Sequence, residues 1–282
     1  MPRIVRCHRL LAGGSEVDEL DGHGCDITHV ERTEMPLIGR DIRVGCPRLL
    51  VVDEVSGVRI VRHEPRYDGF VAAAGQRQEV AEAIDRHIAA HFGPVAFVLH
   101  EIGSHLVGVH VYVVGPTAER PYQTLITSGM SERPMTVPEG HGISPYAELV
   151  LCLPADWPLT QPALQDERTG WPVRVLKYVA RFPHEYGTWI GEWHSLPNGD
   201  PAMPYAPDTP FAGVFVTPML NVRPEARTID VGDGTRIELL ALVPLHPAEV
   251  GLKVSQGTDA LIAALDHGGV NELLDPTRPS LV

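Results

Sequence analysis

The strongest periodicity in the chain spans residues 75–92, where Val80, Ile84, Ile88 and Phe92 recur every four residues with Ala83 and His87 beside them. A four-residue apolar repeat falls on one face of an α-helix, and Gly93-Pro94 ends it, so this stretch predicts an amphipathic helix. Residues 95–101 and 106–114 are dense in β-branched and apolar side chains and predict two strands around Gly103-Ser104. Residues 122–127 and 148–153 predict two more strands. A second helix is predicted to start at Pro172, a residue suited to the first helical position, and to run through Val175, Leu176, Val179 and Phe182. Residues 211–217 and 236–243 supply later strands, and 258–266 a last helix closed by Gly268.

Nearer the N-terminus, 49–52 and 58–61 are β-favouring runs on either side of a turn at 53–57, as in a hairpin, while 25–33 and 41–45 alternate weakly. The pattern breaks at Glu64-Pro65. The predicted organisation is therefore a small β-rich N-terminal unit, residues 1–65, followed by a larger domain, residues 66–282. Strands mixed with few helices, without regular βαβ alternation, predict an α+β fold: a mixed β-sheet flanked by helices. Five prolines between residues 197 and 210 exclude helix interior and central strand there and predict a loop.

Charge narrows the choice of partner. The 282 residues carry a net charge of −13, and residues 70–282 hold 13 Lys/Arg against 24 Asp/Glu. Such a surface repels phosphate backbones and anionic lipid, so another protein is a better expected partner than nucleic acid or membrane, a basic one above all. No stretch approaches 18 consecutive apolar residues and no signal-peptide pattern is present, which predicts a cytoplasmic protein. Cys7, Cys25, Cys46 and Cys152 are too few and too spread for a disulfide framework.

No complete catalytic motif is present in the sequence. His100-Glu101-Ile-Gly-Ser-His105 has one residue more than the zinc-protease pattern, and a five-residue gap on a helix would point the imidazoles about 140° apart. A hairpin with ordinary polar side chains is expected there instead. Cys7, His23, Cys25 and Cys46 could compose a structural zinc site, but no Cys-x-x-Cys knuckle is present, and buried thiols with scattered imidazoles are the simpler reading. Ser128-Gly-Met-Ser131 is not a nucleophile elbow, Cys152 sits inside an apolar run, and the glycines form no phosphate cradle. No cofactor and no metal are expected. A set of aromatic and acidic residues beside turns remains: Tyr146, Asp156-Trp157-Pro158, Trp171, Trp189, Trp193 and His194. These are either core residues or anchors for a partner, where large rigid side chains contribute most of the binding energy.

Several strings in the second part resemble one family. Residues 121–131, reading Pro-Tyr-Gln-Thr-Leu-Ile-Thr-Ser-Gly-Met-Ser, are followed by Arg133-Pro134-Met135 and Tyr146-Ala147-Glu148-Leu149. Then come Leu153-Pro154-Ala155-Asp156-Trp157, Arg181-Phe182-Pro183-His184, Thr188-Trp189, Trp193-His194 and Asp208-Thr209-Pro210-Phe211. Together with Leu242-Val243-Pro244-Leu245, Glu249 and Gly257-Thr258-Asp259, they resemble bacterial suppressor-of-fused (SUFU-like) domains over roughly residues 90–278. The resemblance implies a non-catalytic protein-binding domain, and for a bacterial member an immunity protein that neutralises a cognate toxin. It groups Tyr146, Asp156, Trp157, Trp189 and His194 around one end of the sheet as the expected partner site. Relatives read His-x-Asp where this chain has Gly108 and His110, and residues 1–65 fall outside the resemblance. Two rival readings are a metal-dependent hydrolase using some of the 14 histidines and a homo-oligomer subunit whose tryptophan-rich surface is the interface.

Overall fold

The computed structural model describes residues 27–31, 49–55, 58–140 and 142–282, with side chains from Ile60 onward. In chain order the first elements are strands β1 (Ile27–Glu31), β2 (Leu49–Val55) and β3 (Val58–His63) and helix α1 (Gln78–His91). Strands β4 (Val95–Leu99), β5 (His110–Val114), β6 (Tyr122–Ser128) and β7 (Ala147–Pro154) follow, then helices α2 (Gln161–Gln165) and α3 (Glu167–Tyr186). The last group is β8 (Ser195–Pro197), β9 (Gly213–Pro218), β10 (Thr228–Asp230), β11 (Arg236–Leu245), α4 (Pro247–Gln256) and α5 (Thr258–His267).

All the strands join one sheet in the order β2-β3-β1-β8-β9-β11-β7-β6-β5-β4, with β10 paired to β11. The pairs β1/β3, β1/β8 and β7/β11 are parallel and the others antiparallel, which makes the sheet mixed and the fold α+β. Alternation along the central strands fills two layers. Val111, Val113, Leu125, Leu149, Leu151, Leu240 and Leu242 face α3, together with Leu176, Val179 and Phe182 of that helix. Tyr112, Val114, Ile126, Val150, Leu239 and Ala241 face α1, whose Val80, Ile84 and Ile88 are fully buried as their spacing predicts. Phe215, Val243 and Leu245 lie with Val250 of α4 and with Leu261 and Leu265 of α5. Strand β7 is buried on both faces, which explains its almost continuous apolar run.

Some boundaries differ from the sequence pattern. Helix α3 starts at Glu167, five residues before Pro172, because the Asp166 carboxylate caps it by accepting the Arg168 amide at 2.9 Å. Residues 106–109 are a loop rather than strand: Leu106 takes a left-handed φ of 61° and the Val109 amide turns to the Glu101 carboxylate at 3.0 Å. Helices α2 and α4 and the three-residue strands β8 and β10 carry too little periodicity to be read in advance. Pro197 is not loop as its stretch predicts but the last residue of β8, paired with Gly213 inside the sheet, and the rest of the proline-rich stretch is an ordered loop, in which the Asn198 amide donates to Met203 O at 2.7 Å.

Cys7, His23, Cys25, Cys46 and residues 41–45 lie outside the described residues. Strands β2 and β3 pair antiparallel, as the hairpin pattern predicts. The sequence boundary at residue 65 falls just after β3, at the start of a largely exposed connection to α1. Val61 nevertheless belongs to the α3-side core, and the His63 ring packs edge-on against Phe182 at 5.6 Å and Tyr186 at 6.3 Å. Limited proteolysis tests what this packing is worth. A protease should nick the 64–76 connection, and the fragments should co-elute because β3 stays packed on α3. A stable, freely separating 66–282 fragment would instead make residues 1–65 an independent unit.

Candidate functional site

A catalytic site would draw on buried acids, and those among the described residues are tied up in structural bonds. Glu148 on β7 has no exposed surface, and its two oxygens accept Thr127 Oγ1 at 2.5 Å, Gly129 N at 2.8 Å, Ser131 N at 3.0 Å and Ser131 Oγ at 2.6 Å. Burial raises its carboxyl above the usual range, against the pull of those donors. The knot holds the Ser128–Ser131 corner: Gly129 has φ 131°, and a Cβ there would lie 2.0 Å from Gly108 O, so only glycine fits. Met130 next to it is fully buried, and its carbonyl receives His184 Nε2 at 2.8 Å.

Glu249 is likewise fully buried, gripped by Arg278 in a bidentate pair at 2.5 and 2.6 Å and by the His246 amide at 2.8 Å. Glu272 accepts the Leu220 and Asn221 amides at 3.1 and 2.8 Å. Glu101 of the His100–His105 segment holds Ser104, the Val109 amide, Lys177 and Arg181. Burial would raise its carboxyl, but Arg181, the Val109 amide and Lys177 outweigh that and hold it below the usual range. Burial also pushes the Cys152 thiol up to about 12, so it is protonated and packs as a small hydrophobe. Among the described residues no group of three or more His, Cys, Asp or Glu could hold a metal ion, and no helix is long and apolar enough to cross a membrane.

The five residues expected at a partner site do not come together. Trp189, 8% exposed, belongs to the interior between α3 and the sheet, and the fully buried His194 packs on it with ring centroids 4.2 Å apart. Burial depresses the His194 imidazole to about 3, so it is neutral. Tyr146 is half-buried on the opposite face, against the α1-side core. The remaining two lie on the surface where β7 ends: Asp156 is exposed and Trp157 half-buried.

Trp157 is fixed by its indole N–H, which donates to Thr169 O at 3.0 Å, and meets Trp171 edge-on at 6.5 Å. Trp171 in turn stacks on Tyr205 with centroids 5.6 Å apart and planes 2° from parallel. Tyr205 opens onto a cleft of about 640 Å³ whose other walls are Gln165, Glu167, Arg174 and Pro204, Ala206 and Pro207 of the proline-rich loop. Close packing of α2 on α3 shapes the cleft: Gly170 lies so near Leu164 that a Cβ would come within 2.3 Å of its carbonyl oxygen. Trp171 itself is a core residue, 2% exposed, so the surface offers the Asp156 carboxylate and the half-buried Trp157 at one end and the polar cleft beside Tyr205 at the other, which suits the grip of another protein. Tyr205 was missed in the sequence because nothing in a proline-rich loop indicates that its tyrosine will stack on a helix.

Residues 105–279 match the model of the suppressor of fused protein (SUFU) family. A search of curated proteins gives no match. Among solved structures, the chain is similar to a suppressor-of-fused homologue from Neisseria gonorrhoeae FA 1090, at 15% identity and a TM-score of 0.52, over 73% of this chain and 96% of that one. It is also similar to a chain of the Sufu–Fu complex, at 14% identity and a TM-score of 0.49 over 72% and 92%. A third likeness is Drosophila Suppressor of Fused, at 12% identity and a TM-score of 0.46 over 72% of this chain and 51% of that one.

Proposed function

Because the chain belongs to the suppressor of fused protein family, we propose that it works by holding another protein rather than by catalysis, as an immunity protein that neutralises a cognate toxin. The observation that carries this reading is the corner at the end of β7, where Asp156 and Trp157 stand at the surface beside the Trp171–Tyr205 stack and its cleft. The buried acids support it from the other side. Glu148 and Glu249 are committed to main-chain and side-chain donors that shape the fold, and Glu272 to main-chain amides.

The test is co-expression with a toxin domain, sought among the products of the reading frames beside this gene. Growth should be restored and the two proteins should co-purify as a stable complex. Growth arrest with no complex would contradict the immunity reading.

A further inference from the structure

Ten of the eleven described strands form a path with two ends, β2 and β4, and among the described residues no strand pairs with the outer side of either. Open edges are templates for pairing, and proteins that leave them unpaired guard them with charge, proline or twist. The two ends differ in this respect. Strand β2 carries Asp53 and Glu54, so a pairing of two β2 strands would set four carboxylates on one short ladder. Strand β4 reads Val-Ala-Phe-Val-Leu, without a charge or a proline, and its Phe97 is 41% exposed. Its one irregularity is a register shift between Val95 and Phe97, which leaves Phe97–Leu99 regular.

We infer that β4 is where two copies of this chain meet, strand against antiparallel strand about a two-fold axis, so that two sheets run on as one. Side-chain pairing follows from the symmetry. With the axis at Val98, Phe97 of each copy lies opposite Leu99 of the other, on the face where Leu99 already packs against the α3-side core. Ala96 falls opposite His100 and Val95 opposite Glu101, so no carboxylate faces another. In a chain of net charge −13, this charge-free edge is where self-association meets least repulsion. The remaining repulsion between two acidic chains makes the dimer tighter as salt rises.

Sedimentation velocity of the full chain over a range of concentrations tests this, with hydrogen exchange of the β4 amides as a second readout. The expected result is a reversible monomer–dimer equilibrium that tightens with salt. The amides of Phe97–Leu99 should slow as the protein is concentrated, and Phe97→Lys should weaken the dimer at least about tenfold by placing a charge on the shared ladder. Three results would overturn the inference: a monomer at every concentration, a dimer indifferent to Phe97→Lys, or β4 amides equally protected in dilute monomer, which would mean the edge is covered within one chain. If Phe97→Lys does not fold, the concentration dependence of exchange in the parent decides alone. None of these outcomes bears on toxin neutralisation, which is read separately by growth.

Discussion

Replacing Met130 by aspartate is expected to leave no folded protein. Met130 is fully buried between α3 and the sheet, in the turn that Glu148 organises, and its carbonyl is held by His184. A carboxylate there would be buried among apolar side chains, and Glu148, already a fully buried acid, is tied into the same turn. The change removes the methionine's apolar burial, about 2–5 kcal/mol, and adds the cost of an unpaired buried carboxyl, another few kcal/mol whether it ionises or takes up a proton. The sum approaches the whole stability of an ordinary domain, about 5–15 kcal/mol. Met130→Leu, which keeps the volume, should cost less than about 1.5 kcal/mol. Circular dichroism of the two variants checks both statements; a cooperative thermal transition in Met130→Asp near that of the parent would contradict this account of the turn.

Acidification is the second large effect, and its sign is fixed by three imidazoles. Burial lowers His63 and His184 from 6.5 to about 4 and His194 to about 3. In each case the folded protein keeps the ring neutral while the unfolded chain protonates as pH falls below 6.5. Their stability is fully present above that pH and drains away as pH drops toward 4, where the folded state begins to protonate as well. At 1.36 kcal/mol per unit, His63 and His184 each withdraw about 3 kcal/mol across this window. Glu148, whose carboxyl is raised, moves the other way as it protonates and softens the fall. Thermal melts between pH 7.5 and 4 should show a steep drop starting near pH 6.5, and His184→Gln should flatten it. A melting temperature constant from pH 7 to 4.5 would contradict the buried-neutral assignment.

Much of the fold could be read from residue patterns because local rules and tertiary packing agree there. Val80, Ile84 and Ile88 on α1 and the apolar run of β7 are cases where one period points to one burial pattern. The errors occur where one side-chain carboxylate takes a backbone amide and decides the boundary. Asp166 starts α3 before Pro172, and Glu101 draws the Val109 amide out of the ladder. The expected site divided for a related reason. Aromatic residues beside turns have the same composition whether they anchor a partner or close a core, and only packing separates Trp189 and His194 inside from Asp156 and Trp157 outside. The family strings follow suit: Gly129, Ser131 and Glu148 read as a signature, and in space they are one hydrogen-bonded corner.

The central claim is that the Asp156–Trp157 corner holds a protein partner, and its most direct test is calorimetric titration of that partner, once identified by co-purification, into the parent and two variants. Asp156→Ala removes an exposed carboxylate, and Trp157→Phe keeps an aromatic ring while losing area and the indole N–H. Neither should open a large cavity. The account predicts that each variant melts close to the parent and that the pair combined loses about 2 kcal/mol or more of affinity, roughly 30-fold. If the combined variant is folded and binds as tightly as the parent, the partner is held elsewhere and the claim fails.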